Sequence, residues 1–157
     1  MIRPLLLLGA ALAAPATVAA APAGPLQVTS KVLVESKQRA ADGTTRVALV
    51  PAKRAVPGDR VVFVLAYRNT GTQPLSNIVF DNPVPRGVAY RAPLPGSAVP
   101  ELSVDGRAYG ALDQLTVAAN GARRAAAADD VTHVRWRLAR PLAPGAQGEF
   151  AFQAALK

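Results

Sequence analysis

The chain has 157 residues, 18 basic against 10 acidic, a formal charge of +8 at pH 7 with its single histidine neutral, and no cysteine. That inventory excludes disulfides, a cysteine-borne lipid anchor and the usual zinc sites, which need several Cys and His ligands. A charge of this sign favours anionic neighbours, although Lys and Arg scattered as they are here also serve solubility alone.

The chain opens MIRPLLLLGAALAAPATVAAAPAG, with one basic residue, Arg3, an apolar run from Leu5 to Ala14, then small residues to Ala21. This order predicts a secretory signal peptide over residues 1–20, cleaved after Ala20, with Ala19 and Ala23 as neighbouring alternatives. An uncleaved anchor fits less well, because the Leu-rich run is shorter than the roughly 20 residues a span needs. Cleavage would leave 137 of the 157 residues, enough for one domain with its own core, and 17 basic against 10 acidic side chains, a charge of +7. The mature chain is expected to carry no transmembrane segment and no sorting segment. Export without cysteine suits the bacterial periplasm, with the cell surface or extracellular space as alternative destinations. The anionic neighbours there are lipid headgroups, lipopolysaccharide or acidic polysaccharide, not nucleic acid.

After a short linker at 21–25, one domain is expected over 26–157. LQVTSKVLVESK alternates, with Leu26, Val28, Ser30, Val32 and Val34 on one face, and reads as a half-buried strand. An Asp42-Gly43 turn and RVALV follow, to be paired with it as a hairpin. Pro57-Gly58 predicts a type II turn over Val56 to Asp59. The next run, RVVFVLAYRN, is apolar on both faces, Val61, Phe63, Leu65 and Tyr67 against Val62, Val64 and Ala66, as in a strand central to its sheet. Asn69 and Gly71, residue types that readily take left-handed backbone angles, and Pro74 end it in a turn.

NIVF places Ile78 and Phe80 inward, and GVAYRA, bracketed by prolines, reads as a short edge strand. ELSVDGRAYG reads as a hairpin about Asp105-Gly106 and DQLTVA as another short strand. ANGARRAAAADD lacks an amphipathic period and reads as a mobile loop with room for one helical turn. In VTHVRWRLARPLAPG, Thr132, Val134, Trp136 and Leu138 take one face and Val131, His133, Arg135 and Arg137 the other. A Pro144-Gly145 turn then leads to GEFAFQAALK, with Phe150, Phe152, Ala154 and Leu156 inward. About seven to nine short strands without an amphipathic helix predict an all-β, antiparallel β-sandwich.

Three segments in order, VPGDRVVFVLAYRNTGTQPLSNIVFDNPVPRGVAY, VTHVRWRLARPLAPG and GEFAFQAALK, resemble the bacterial conserved-repeat domain, domain of unknown function eleven. The shared pattern is a Pro-Gly-Asp turn, an aromatic-rich strand, Asn-x-Gly, a strand ending in Asp, a Pro-x-Gly segment and a late Leu-Ala-Pro-Gly turn. The resemblance implies an immunoglobulin-like sandwich in envelope or surface proteins, with adhesive or spacer roles and no catalytic residues. This chain departs from the family in its single copy, its longer N-terminal pair of strands and its lack of an anchoring segment.

No catalytic, cofactor or metal site is expected. His133 stands on the face opposite Trp136 without a Gly-x-Ser-x-Gly elbow anywhere to supply a nucleophile. Asp81, Asp105, Asp113, Asp129 and Asp130 lack the spacing of a calcium loop and read as turn residues. SVDGRAYG approaches a sialidase Asp-box hairpin, but its glycine follows the Asp directly. His133, Arg135, Arg137 and the nearby Arg140 form the one local basic group able to meet phosphates or carboxylates, or else simply to solvate an exposed face. The expected function is non-enzymatic binding or scaffolding in the cell envelope, by surface recognition or by addition of a partner's strand to an open sheet edge. The alternative is an accessory module that binds carbohydrate or an anionic envelope polymer.

Overall fold

The computed structural model describes residues 24–52, 56–119 and 121–157, so the expected signal peptide and most of the linker lie outside the described residues. Alternating apolar sequence mostly becomes strand where it was expected; of DQLTVA only the part from Thr116 does, since Asp113 and Gln114 lie in a 3-10 helix at Leu112–Gln114. β1 (Leu26–Arg39) turns at Gly43, φ +83°, into β2 (Thr45–Pro51). The Asp42 carboxylate holds that turn by accepting from the Thr44 amide at 2.9 Å and the Thr44 hydroxyl at 2.6 Å. β3 (Arg60–Asn69) follows the Val56–Asp59 turn, closed by the Asp59 amide donating to the Val56 carbonyl at 3.0 Å with Gly58 at φ +95°. With β5 (Val88–Pro93) and β10 (Gln147–Leu156) these strands form a five-stranded antiparallel sheet in the order β2-β1-β3-β10-β5.

β3 is indeed flanked on both sides and covered on both faces. Val62 is fully buried, on the face away from the main core, with Val64, Ala151 and the flanking Leu33 and Leu94. The opposite face of the sheet meets a three-stranded sheet of order β4-β9-β6, made of β4 (Val79–Pro83), β9 (His133–Arg137) and β6 (Glu101–Ser103). Aromatic rings fill the space between the sheets. Trp136 stacks on Phe150 with centroids 5.0 Å apart, Tyr67 and Phe80 sit 4.8 Å apart, and Phe63 stacks on Phe152 at 5.0 Å. Trp136 is 3% exposed, and its indole N–H is spent on the Ala98 carbonyl at 3.0 Å. The molecule is an antiparallel β-sandwich, the fold class predicted from the strand spacing.

Several expectations change. The segment read as a mobile loop contains β8 (Ala122–Ala125), paired with β7 (Thr116–Ala119) as a separate ribbon, and then a short 3-10 helix, Ala128–Asp130. Its four residues are all exposed, so no core imposes the alternation by which a strand is recognised. The ribbon raises the count among the described residues to ten strands, against the seven to nine expected. Asn69 and Gly71 do not take left-handed angles; Asn77, φ 56°, does. Gly71 is required instead by close approach, since a Cβ there would lie 2.7 Å from the Pro25 Cβ. Val131, assigned to the face with His133, is buried at 4% just ahead of β9.

Candidate functional site

The pleat of β9 sends Val134 and Trp136 into the core and therefore turns His133, Arg135 and Arg137 to the outer face of the three-stranded sheet. The face is not a bare basic surface. Register places Asp81 of β4 and Glu101 of β6 on either side of Arg135. The Arg135 guanidinium donates to Asp81 Oδ2 at 3.1 Å and lies 3.2 Å over the centre of the Tyr109 ring, while the Tyr109 hydroxyl donates to the same Asp81 oxygen at 2.7 Å. Arg137 Nε donates to Glu101 at 3.1 Å. Burial pushes the Asp81 carboxyl up, but the hydrogen bonds from Tyr109 and Arg135 and the Arg135 charge outweigh it and hold Asp81 below the usual carboxylate range. Two arginines are thus matched by two carboxylates, and little net field remains to attract an anion.

His133 packs edge-on against Tyr109, shares a 3.0 Å hydrogen bond with the Thr132 hydroxyl, and lies against Gly106, where a Cβ would fall 2.9 Å from its Cε1. Arg140 lies in the exposed connection after β9 ends at Arg137, off the pleat that carries the other three. Only three of the four members of the basic group share one face.

Asp105, Asp129 and Asp130 are each held by neighbouring groups. Asp105 Oδ1 accepts from the Ser103 hydroxyl and from the amides of Arg107 and Ala108, which closes the hairpin at Gly106, φ +71°. Asp129 pairs with Arg91 at 2.6 Å, and Asp130 pairs with Arg124 at 2.6 and 2.8 Å while accepting the Ala127 amide. Among the described residues no three His, Asp or Glu side chains gather in a group that could hold a metal.

A second candidate is backbone, not side chain. The five-stranded and the three-stranded sheet each have two edge strands, and these are finished differently. The 3-10 helix at Ala128–Asp130 packs on β5, tied by Arg91 to Asp129 and by Lys157 Nζ to the Asp129 carbonyl at 3.2 Å. β6 is bridged on its far side by Gly110, the two amide bonds with Leu102 measuring 2.8 and 3.0 Å. β4 turns out only the amides of Val79 and Asp81 before Pro83 stops it. Along β2 the ladder to β1 runs through the even-numbered residues, because Ala52 donates to Val32 and Ala40 donates to Thr44 in a register that pairs Val34 with Val50 and Ser36 with Ala48. The amides of Thr45, Val47 and Leu49 therefore face outward, and no strand among the described residues pairs with them.

The side chains at this edge are apolar and open. Val47 is 61% exposed and Leu49 41%, on the same face as Leu33 and Glu35, beside a cleft of about 340 Å³ lined by Glu35, Val47, Gly58, Asp59 and Arg60. Val28 and Val32, on the opposite face of β1, are also exposed, although Leu26 and Val34 on that face pack against the main core. The period-two signal in RVALV located the strand in sequence, but nothing in it shows on which side the strand is paired.

No protein-family model, curated protein or solved structure matches this chain. Among the described residues no helix is long and apolar enough to cross a membrane.

Proposed function

We propose that this chain is an exported, non-enzymatic binding or scaffolding module of the bacterial cell envelope, of the conserved-repeat immunoglobulin-like kind, and that it engages its partner by strand addition along β2. The observation that carries this reading is the outward row of amides at Thr45, Val47 and Leu49 on an edge with exposed valine and leucine. Open, apolar edges are a liability that folds normally cover, charge or break with proline, as at β4, β5 and β6 here. An incoming strand gains main-chain hydrogen bonds from the ladder and side-chain selectivity from alternate positions. The alternative, recognition of carbohydrate by aromatic stacking, has less support, since the one tryptophan is buried and Tyr109 is covered on one face by Arg135. On the outer face of β9, His133 has only Thr132 as a hydrogen-bond partner among the described residues.

In-cell photocrosslinking from position 47, compared with position 99 in the exposed loop before β6, tests the reading. Capture of a discrete protein from position 47 alone is expected. Capture of polysaccharide only, or equal capture from both positions, would overturn it.

A further inference from the structure

The strand-addition reading leaves the partner's chemistry open, and the charges around β2 narrow it. We infer that the added strand is an extended segment in which apolar residues alternate with Asp or Glu, supplied by an acidic partner and not by a second copy of this chain; this rests on the strand-addition reading above. The β1–β2 hairpin, Leu26 to Pro51, carries four basic and two acidic side chains, a net +2. Two copies meeting edge to edge would set one such hairpin against another, and like charges across a strand pair oppose association. An acidic strand removes that repulsion and is steered toward the edge.

The pleat makes the prediction directional. Val47 and Leu49 lie on one face, where Glu35 stands opposite Leu49 in the neighbouring strand. Lys37 stands opposite Val47 in the same register, so the neighbouring strand carries one charge of each sign there and selects no ionic residue, whereas an incoming apolar side chain would meet Val47 and Leu49. Arg46 lies on the other face, opposite Gln38, and is exposed. An incoming strand that places valine or leucine beside Val47 and Leu49 therefore places its alternate residue beside Arg46, and a carboxylate fits there. An anionic polysaccharide would match the charge but has no alternating N–H and C=O groups with which to extend the ladder.

Two synthetic peptides of about eight residues, one alternating Val and Glu and the other Val and Lys, titrated into the purified chain at low and high salt, test this. The Val-Glu peptide is expected to bind, at least about tenfold more weakly in roughly 0.5 M salt, and the Val-Lys peptide not to bind. Val47→Pro, which removes an outward amide that the ladder to β1 does not use, should abolish binding, with circular dichroism to check that the fold is kept. Arg46→Glu, a change at an exposed side chain, should move the preference to the Val-Lys peptide and remains informative if Val47→Pro unfolds. Equal binding of both peptides, lost in Val47→Pro, overturns the acidic partner while strand addition stands. Val-Glu binding that Val47→Pro and Arg46→Glu leave unchanged overturns both. Self-association of the chain in sedimentation, with neither peptide bound, makes a second copy the occupant and overturns the inference.

Discussion

Asn69 is fully buried at the end of β3, and every polar atom of its side chain is used. Its amide nitrogen donates to the carbonyls of Gln73 at 2.8 Å and Leu142 at 2.9 Å, and its side-chain oxygen accepts from the Gly71 amide at 2.9 Å. Asn69→Ala strands these groups, and a loss of about 2–3 kcal/mol in urea unfolding is expected. The sequence marks Asn69 as a turn residue, which is correct in place and incomplete in cause. Its role depends on Leu142, on the far side of the chain, and no local pattern carries that. The same separation hides the site geometry: the alternation of His133, Arg135 and Arg137 was legible, but their neutralisation by Asp81 and Glu101 comes from strands paired across long stretches of sequence. Acid sensitivity also belongs to single residues. The hydrogen bonds from Arg124 and the Ala127 amide lower Asp130 to about 2, and Asp129 and Asp105 are lowered as well. A carboxyl lowered in the fold contributes stability above its unfolded value, near 4, and that contribution is lost as pH falls toward 2. Arg124→Ala should therefore move the acid-unfolding midpoint slightly upward in pH, as read by circular dichroism.

Among the elements, β3 and β9 were legible because burial writes itself into their residue pattern, on two faces for β3 and one for β9. Their value is unequal. Trp136→Ala removes the largest ring between the sheets and is expected to cost about 3–5 kcal/mol, whereas Arg123→Ala on the exposed ribbon should stay within about 0.5 kcal/mol; thermal melts of the two variants compare them. β8 was missed for the reason that makes Arg123 dispensable: a strand that buries nothing carries no hydrophobic period. The Asn120-Gly121 dipeptide was the available hairpin signal, since it favours the tight turn such a ribbon needs.

At the scale of the whole molecule, sandwich architecture follows from many short alternating segments, but the unequal width of the two sheets does not. Five strands face three, and β2 stands at one edge of the wider sheet, an edge that composition alone does not reveal. Residue-by-residue amide hydrogen exchange along β2 in the free chain tests this most directly. Arg46, Ala48 and Val50 should be protected by the ladder to β1, while Thr45, Val47 and Leu49 should exchange at nearly the rate of unfolded chain. Protection of Val47 and Leu49 equal to that of Ala48 in the free chain would mean that the edge is already paired, and would contradict strand addition at β2.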